Sequence, residues 1–172
     1  MTAPEIILGL VTAQRGAELV LSWRNTTRLM ARGAIEIAPA HYPLMVAVHA
    51  CWLISLWAFG HDQPVHVGEL AIYLLLQALR IWVMVTLGSR WTTRIIVLPN
   101  AALVASGPYR YLRHPNYAVV AGEIAVLPLM LHLAWIAVLF SALNAIVLLI
   151  RIRAEDRALY LAHPRATQDA PS

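Results

Sequence analysis

From Ala118 to Ile150 the chain carries one full charge, Glu123, in an otherwise almost wholly apolar run. A helix rising 1.5 Å per residue needs about 20 apolar residues to cross a hydrocarbon layer about 30 Å thick. This run is too long for one crossing, and Pro128 and His132 interrupt it near its middle. Two helices joined by a tight turn near Leu131-His132 satisfy it. Residues 43–60 and 65–87 read as two further spans, and residues 4–23 as a weaker first one, interrupted by Gln14, Arg15 and Glu18. Hydrophobic residues at 60% and charged residues at 13% agree with a membrane-embedded chain. The expectation is an all-α polytopic membrane protein, a single domain over residues 1–172. It has five transmembrane helices, the fourth and fifth forming a hairpin. The first helix does not read as a signal peptide, because its amino end lacks a basic residue and no small-residue cleavage site follows it.

All thirteen basic residues are arginine. Arg24, Arg28 and Arg32 follow the first helix. Arg90, Arg94, Arg110 and Arg113 lie between the third and fourth. Arg151, Arg153, Arg157 and Arg165 come at or after the end of the fifth. The opposite loops, at residues 61–64 and 131–132, have none. The positive-inside rule then puts the amino terminus outside and every arginine-rich segment in the cytoplasm. The net charge of +4 is thus topological; no interleaving of aromatics with arginines suggests a nucleic-acid surface. Cys51 is the single cysteine, so no internal disulfide forms, and no Cys/His cluster suggests a metal site. Missing lysine beside abundant alanine and arginine points to a GC-rich, bacterial coding sequence, and hence to an inner membrane. The tail from Ala162 to Ser172 reads as frayed.

Polar residues inside the spans need partners. Arg15 and Glu18 share a helix face and read as a self-neutralising pair. Glu69, Tyr73, Gln77 and Arg80 read as one stripe, with Arg80 either functional or tied to Glu18 or Glu123. Ser141, Asn144, Arg151 and Glu155 fall on one face of the fifth helix. Arg151 and Glu155 alone would read as a surface pair, but Asn144 extends that face into hydrocarbon.

The segment from Ser106 through Tyr117 places Arg110, Arg113, His114, Asn116 and Tyr117 where an apolar run meets water. An anchor does not need that density of polar groups; a site for a small charged molecule does. Pro115 suits a first helical turn and pushes His114 out of helical geometry. The amino end of that helix, reinforced by Arg113, suits an anionic group.

On these residues the sequence resembles the isoprenylcysteine carboxyl methyltransferase family of membrane methyltransferases. The matching elements are Leu103-Val104, Ser106-Gly107-Pro108-Tyr109, Arg113-His114-Pro115-Asn116-Tyr117, an apolar hairpin, and Arg151-x-x-x-Glu155-Asp156. The resemblance implies S-adenosylmethionine as methyl donor and a cofactor-binding and catalytic core over residues 100–160. Leu103, Val104, Tyr109 and Arg113 would line the donor before the fourth helix. His114, Pro115, Asn116 and Tyr117 would line it at the helix start, with Glu155 reaching it from the fifth. Arg151 and Glu155 would be catalytic, and Arg151 and Asn144 would hold the acceptor.

The chain departs from the family pattern at Ala101, at Val119 and along residues 159–164. The whole chain looks closer to a short bacterial branch, in which Gln14-Arg15-x-x-Glu18-Leu19 and Arg24-Asn25 also recur. That branch implies a functional link to a type III polyketide synthase and a long-chain alkylpyrone or alkylresorcinol acceptor. Alternatives are a prenylated cysteine as acceptor, or a nicotinamide-dependent reductase on the same scaffold. A non-catalytic scaffold or small transporter fits less well, because the polar groups gather at one face and no repeat is evident.

Overall fold

The computed structural model describes residues 2–99 and 101–162. The tail read as frayed lies outside them from residue 163 onward, as does part of the departure at residues 159–164. Five helices dominate: α1 (Ala3–Met30), α2 (Tyr42–Gly60), α3 (Val67–Leu87), α4 (Pro115–Met130) and α5 (Ala134–Ala162). Among the described residues, three stretches are long and apolar enough to cross a membrane: Pro39–Gly60, Val67–Arg90 and Ala134–Ala158, with mean hydropathies of 1.6, 1.9 and 2.2. Helix α4 is apolar but shorter. Helix α1 is long, yet Arg15 and Glu18 break its apolar window.

Thr2 opens α1 with a reciprocal cap. Its backbone N–H donates to Glu5 Oε2 at 2.8 Å, and its hydroxyl accepts from the Glu5 N–H. The helix runs beyond Trp23 because its next turn has partners. Asn25 Nδ2 donates to the Trp91 carbonyl at 2.8 Å, and Ser22 Oγ accepts from the Thr93 N–H at 2.8 Å. Gly33, at φ 84°, turns the chain away.

Between α1 and α2 the chain forms β1 (Ile35–Glu36), antiparallel to β2 (Ile96–Val97) in the α3–α4 connection. Ile35 stands opposite Val97 and Glu36 opposite Ile96. The all-α expectation omits this ladder, since a two-residue strand has no period to read. It pins together the two arginine-rich connections.

Helix α3 packs on α4, α4 on α5, and α5 on α2. The apolar core gathers at the arginine-poor end, around Leu8, Trp52, Leu56, Leu127, Met130 and Ile136. There α4 ends at Met130, and just beyond it His132 takes φ 58° while the Leu133 N–H returns to the Pro128 carbonyl at 2.9 Å. The His66 N–H donates to the Met130 carbonyl at 2.9 Å, fastening the start of α3 to the end of α4.

A charged layer lies deeper than the arginine-rich connections. Arg80 Nε and Nη2 donate to the two oxygens of Glu18 at 2.5 and 2.6 Å, and its Nη1 donates to Glu123 at 2.6 Å. Arg15 donates to Glu18 at 2.9 Å and to Glu123 at 2.8 Å. Gln14 and Gln77 complete the ring. Two cations and two anions from α1, α3 and α4 thus cancel, which is how buried ions are tolerated. The pair expected within α1 is half of a four-charge network. Glu69 is outside it: this residue meets His66 at the other end of α3.

Candidate active site

A glycine sets the approach to α4. Gly107 has φ 57°, and a Cβ there would stand 2.5 Å from Thr86 Oγ1. Only glycine allows the connection to lie this close to α3. The 3₁₀ turn Gly107–Arg110 then buries Pro108 and turns Tyr109 inward. Burial, with the Glu155 charge, pushes the Tyr109 phenol above its ordinary range. Pro115 begins α4, and His114 precedes it at φ −129°, ψ 61°.

His114 and Tyr117 reach from this helix start to α5. His114 Nε2 lies 3.1 Å from Asp156 Oδ1, and its ring stacks on Tyr117 at 5.5 Å between centroids. The Tyr117 hydroxyl donates to Glu155 Oε2 at 2.6 Å. The Arg151 guanidinium carbon lies 5.9 Å from the centre of the Tyr117 ring. Arg151 Nη2 donates to the Thr93 carbonyl at 2.8 Å. Arg151 and Glu155 therefore do not form the i, i+4 surface pair: each is turned to a different partner, and Arg151 is buried.

These side chains border one cavity of about 990 Å³. Leu103, Val104, Tyr109, Arg113, His114, Asn116, Tyr117, Arg151 and Glu155 all line it. Two expected site residues stand elsewhere. Pro115 is buried as the first residue of α4. Asn144 shares the Arg151 face but lies about two turns deeper, fully buried and outside the cavity lining. Arg113 is exposed at the mouth, 3.5 Å from Asp156.

Sequence reasoning missed the opposite wall. Helix α2 contributes Met45, His49, Trp52 and Leu53, and the α3–α4 connection contributes residues 90–98. Thr93 is its organiser: Ser22 from α1, Tyr42 from α2 and Arg151 from α5 all bond to it. A threonine in a connection carries no pattern that would reveal this. The cavity descends to Arg15, Glu18 and Arg80, so the charged network forms its floor. Among the described residues, no group of three or more His, Cys, Asp or Glu side chains is placed to hold a metal.

The sequence profile described as the isoprenylcysteine carboxyl methyltransferase (ICMT) family matches residues 69–161. That stretch holds nearly all of α3, the whole connection to α4, and both helices that meet at Tyr117 and Glu155. The chain belongs to the isoprenylcysteine carboxyl methyltransferase family. It is therefore an integral membrane protein of a methyltransferase family, and the match extends the resemblance read over residues 100–160 back into α3. It is 38% identical over 159 residues to an uncharacterized protein, YpbQ, of Bacillus subtilis (strain 168), covering 90% of this chain and 95% of the relative. An uncharacterized protein of Haemophilus influenzae is 25% identical over 167 residues, covering 94% of this chain and 97% of that one. No solved structure matches the chain.

Proposed function

We propose that this protein is an S-adenosylmethionine-dependent O-methyltransferase acting on a lipophilic acceptor at the cytoplasmic face of a bacterial inner membrane. The acceptor is a long-chain alkylpyrone or alkylresorcinol, of the kind a type III polyketide synthase supplies. The carrying observation is convergence. The helix start at His114–Tyr117 and the α5 carboxylates at Glu155 and Asp156 meet around a single cavity, joined by the Tyr117–Glu155 bond.

The residues present fit the donor. A sulfonium is a cation, which suits the Glu155 carboxylate and the faces of Tyr109 and Tyr117. Its carboxylate suits Arg113 and the amino end of α4. Asn116 Oδ1 is buried without a partner, an acceptor for the N–H of an adenine or ammonium group. A cavity of about 990 Å³ lies at the upper end of the range for small-molecule sites, enough for the donor and an acceptor head. Bound S-adenosylmethionine supplies an electrophilic methyl group. Methyl transfer is an in-line displacement, so the protein's share is to position the acceptor oxygen and exclude water. Arg151, fixed between Thr93 and Tyr117, holds an enolate or phenolate oxygen. The apolar tail stays in lipid or along the α2 wall.

Purified protein in detergent, heated with S-adenosylhomocysteine or with NADPH, tests the cofactor. Stabilisation by the first and not the second is the expected result. Stabilisation by NADPH alone would favour a reductase.

A further inference from the structure

We infer that His49 is the general base that takes the hydroxyl proton of a phenolic or enolic acceptor. The inference rests on the methyltransferase reading above.

His49 lies about two turns into α2 and lines the cavity together with Val120 and Leu148. Its Nδ1 is 2.9 Å from the Met45 carbonyl oxygen. A carbonyl only accepts, so Nδ1 carries the proton and the neutral ring keeps a lone pair on Nε2. The ring lines the same cavity as Tyr117, Arg151 and Glu155.

Most other titratable groups of that cavity already have partners. Arginines cannot accept a proton. Glu18 is filled by Arg15, Arg80 and Gln14. Glu155 accepts from Tyr117, and Asp156 faces His114 and Arg113 at the mouth. On the α2 side of the cavity, His49 offers a neutral nitrogen lone pair. The charges acting on it are Arg15 on α1, Arg80 on α3 and Glu123 on α4; Glu18 is paired with Arg15, and Arg151 and Glu155 of α5 line the same cavity. The two arginines of the floor are paired with its two carboxylates, so their formal charges sum to zero.

The chemistry needs such a group. A phenol titrates near 10, as tyrosine does, and is largely un-ionised at neutral pH. In the step inferred here, the acceptor O–H gives its proton to His49 Nε2. The oxygen bonds the methyl carbon as the carbon–sulfur bond breaks, and that electron pair returns to sulfur, leaving a neutral thioether. The imidazolium then releases its proton to water through the open cavity.

His49→Gln and His49→Asn both keep a side-chain N–H and lack the basic nitrogen. A long-chain alkyl 4-nitrophenol, bound together with S-adenosylhomocysteine, reports its own ionisation by absorbance and requires no turnover. The nitrophenolate band should form at lower pH in the wild type than in either variant, by about one unit, a tenfold change in ionisation. In methyl transfer, both variants should lose about 100-fold in kcat/KM with an alkylresorcinol. They should lose little with an acidic alkyl hydroxypyrone, which is ionised without help. An unchanged probe titration, or equal losses with both acceptors, would overturn the assignment. If the wild type methylates neither lipid, the acceptor named above fails, and the probe titration decides the role of His49 alone.

Discussion

Arg80 on α3 grips Glu18 on α1 with two nearly parallel hydrogen bonds of 2.5 and 2.6 Å, deep inside the bundle. Arg80 is 5% exposed and Glu18 6%. Helix α1 is too interrupted by charge to be held by apolar packing alone, and this grip is a large part of what fastens it. Removing one partner leaves an ion without compensation. Arg80→Met should therefore lower stability by about 3–5 kcal/mol, measured by thermal or denaturant unfolding in detergent. Glu69→Gln, at the exposed end of α3, should cost under about 1 kcal/mol. Equal effects would mean that the buried network contributes nothing special.

Tyr117→Phe removes a hydroxyl and keeps the ring. The bond to Glu155 is charge-assisted, and such bonds contribute about 1.5–3 kcal/mol. Affinity for S-adenosylhomocysteine should fall about tenfold, a loss of about 1.4 kcal/mol. Isothermal titration measures it; an unchanged affinity would place the donor away from this tyrosine.

Arg151→Ala should abolish most methyl transfer in folded protein. Arg151→Lys should restore little, because an ammonium cannot bond Thr93 and present a planar, two-pronged face beside Tyr117 at once. Turnover in detergent, normalised to folded protein, is the measurement. Near-normal turnover of the alanine variant would remove Arg151 from the acceptor site.

The arginine asymmetry makes a topological prediction. With Cys51 first changed to alanine, single cysteines at positions 62 and 90 should label from opposite sides of sealed vesicles. Labelling from the same side would contradict the orientation.

The five helices were legible because hydrophobic runs in this chain are long and their interruptions chemically sharp. Gly60, Pro64, Gly88, Pro115 and His132 stand at or near helix ends. The extent of α1 past Trp23 was not legible, since it depends on Asn25 and Ser22 finding partners some 65–70 positions later. The mouth of the site was legible because His114, Tyr117, Arg151 and Glu155 lie in two compact motifs. Its far wall was not: His49 and Trp52 sit in a helix that reads as uniformly apolar, and Thr93 bonds through its hydroxyl and its backbone to partners distant in sequence. The partners of Arg15, Arg80 and Glu123 were anticipated singly, but sequence spacing cannot show that all join one ring with Glu18.

The central claim is methyl transfer from a donor held between α4 and α5. Membranes containing this protein, given S-adenosylmethionine with a radiolabelled methyl group and a long-chain alkylpyrone or alkylresorcinol, test it directly. The account predicts label in the lipid with the wild type, poor transfer to the same ring lacking its alkyl tail, and almost none with Glu155→Ala. Label in a farnesylcysteine analogue but in neither polyketide lipid would contradict the acceptor. Transfer that persists undiminished in Glu155→Ala would contradict the site.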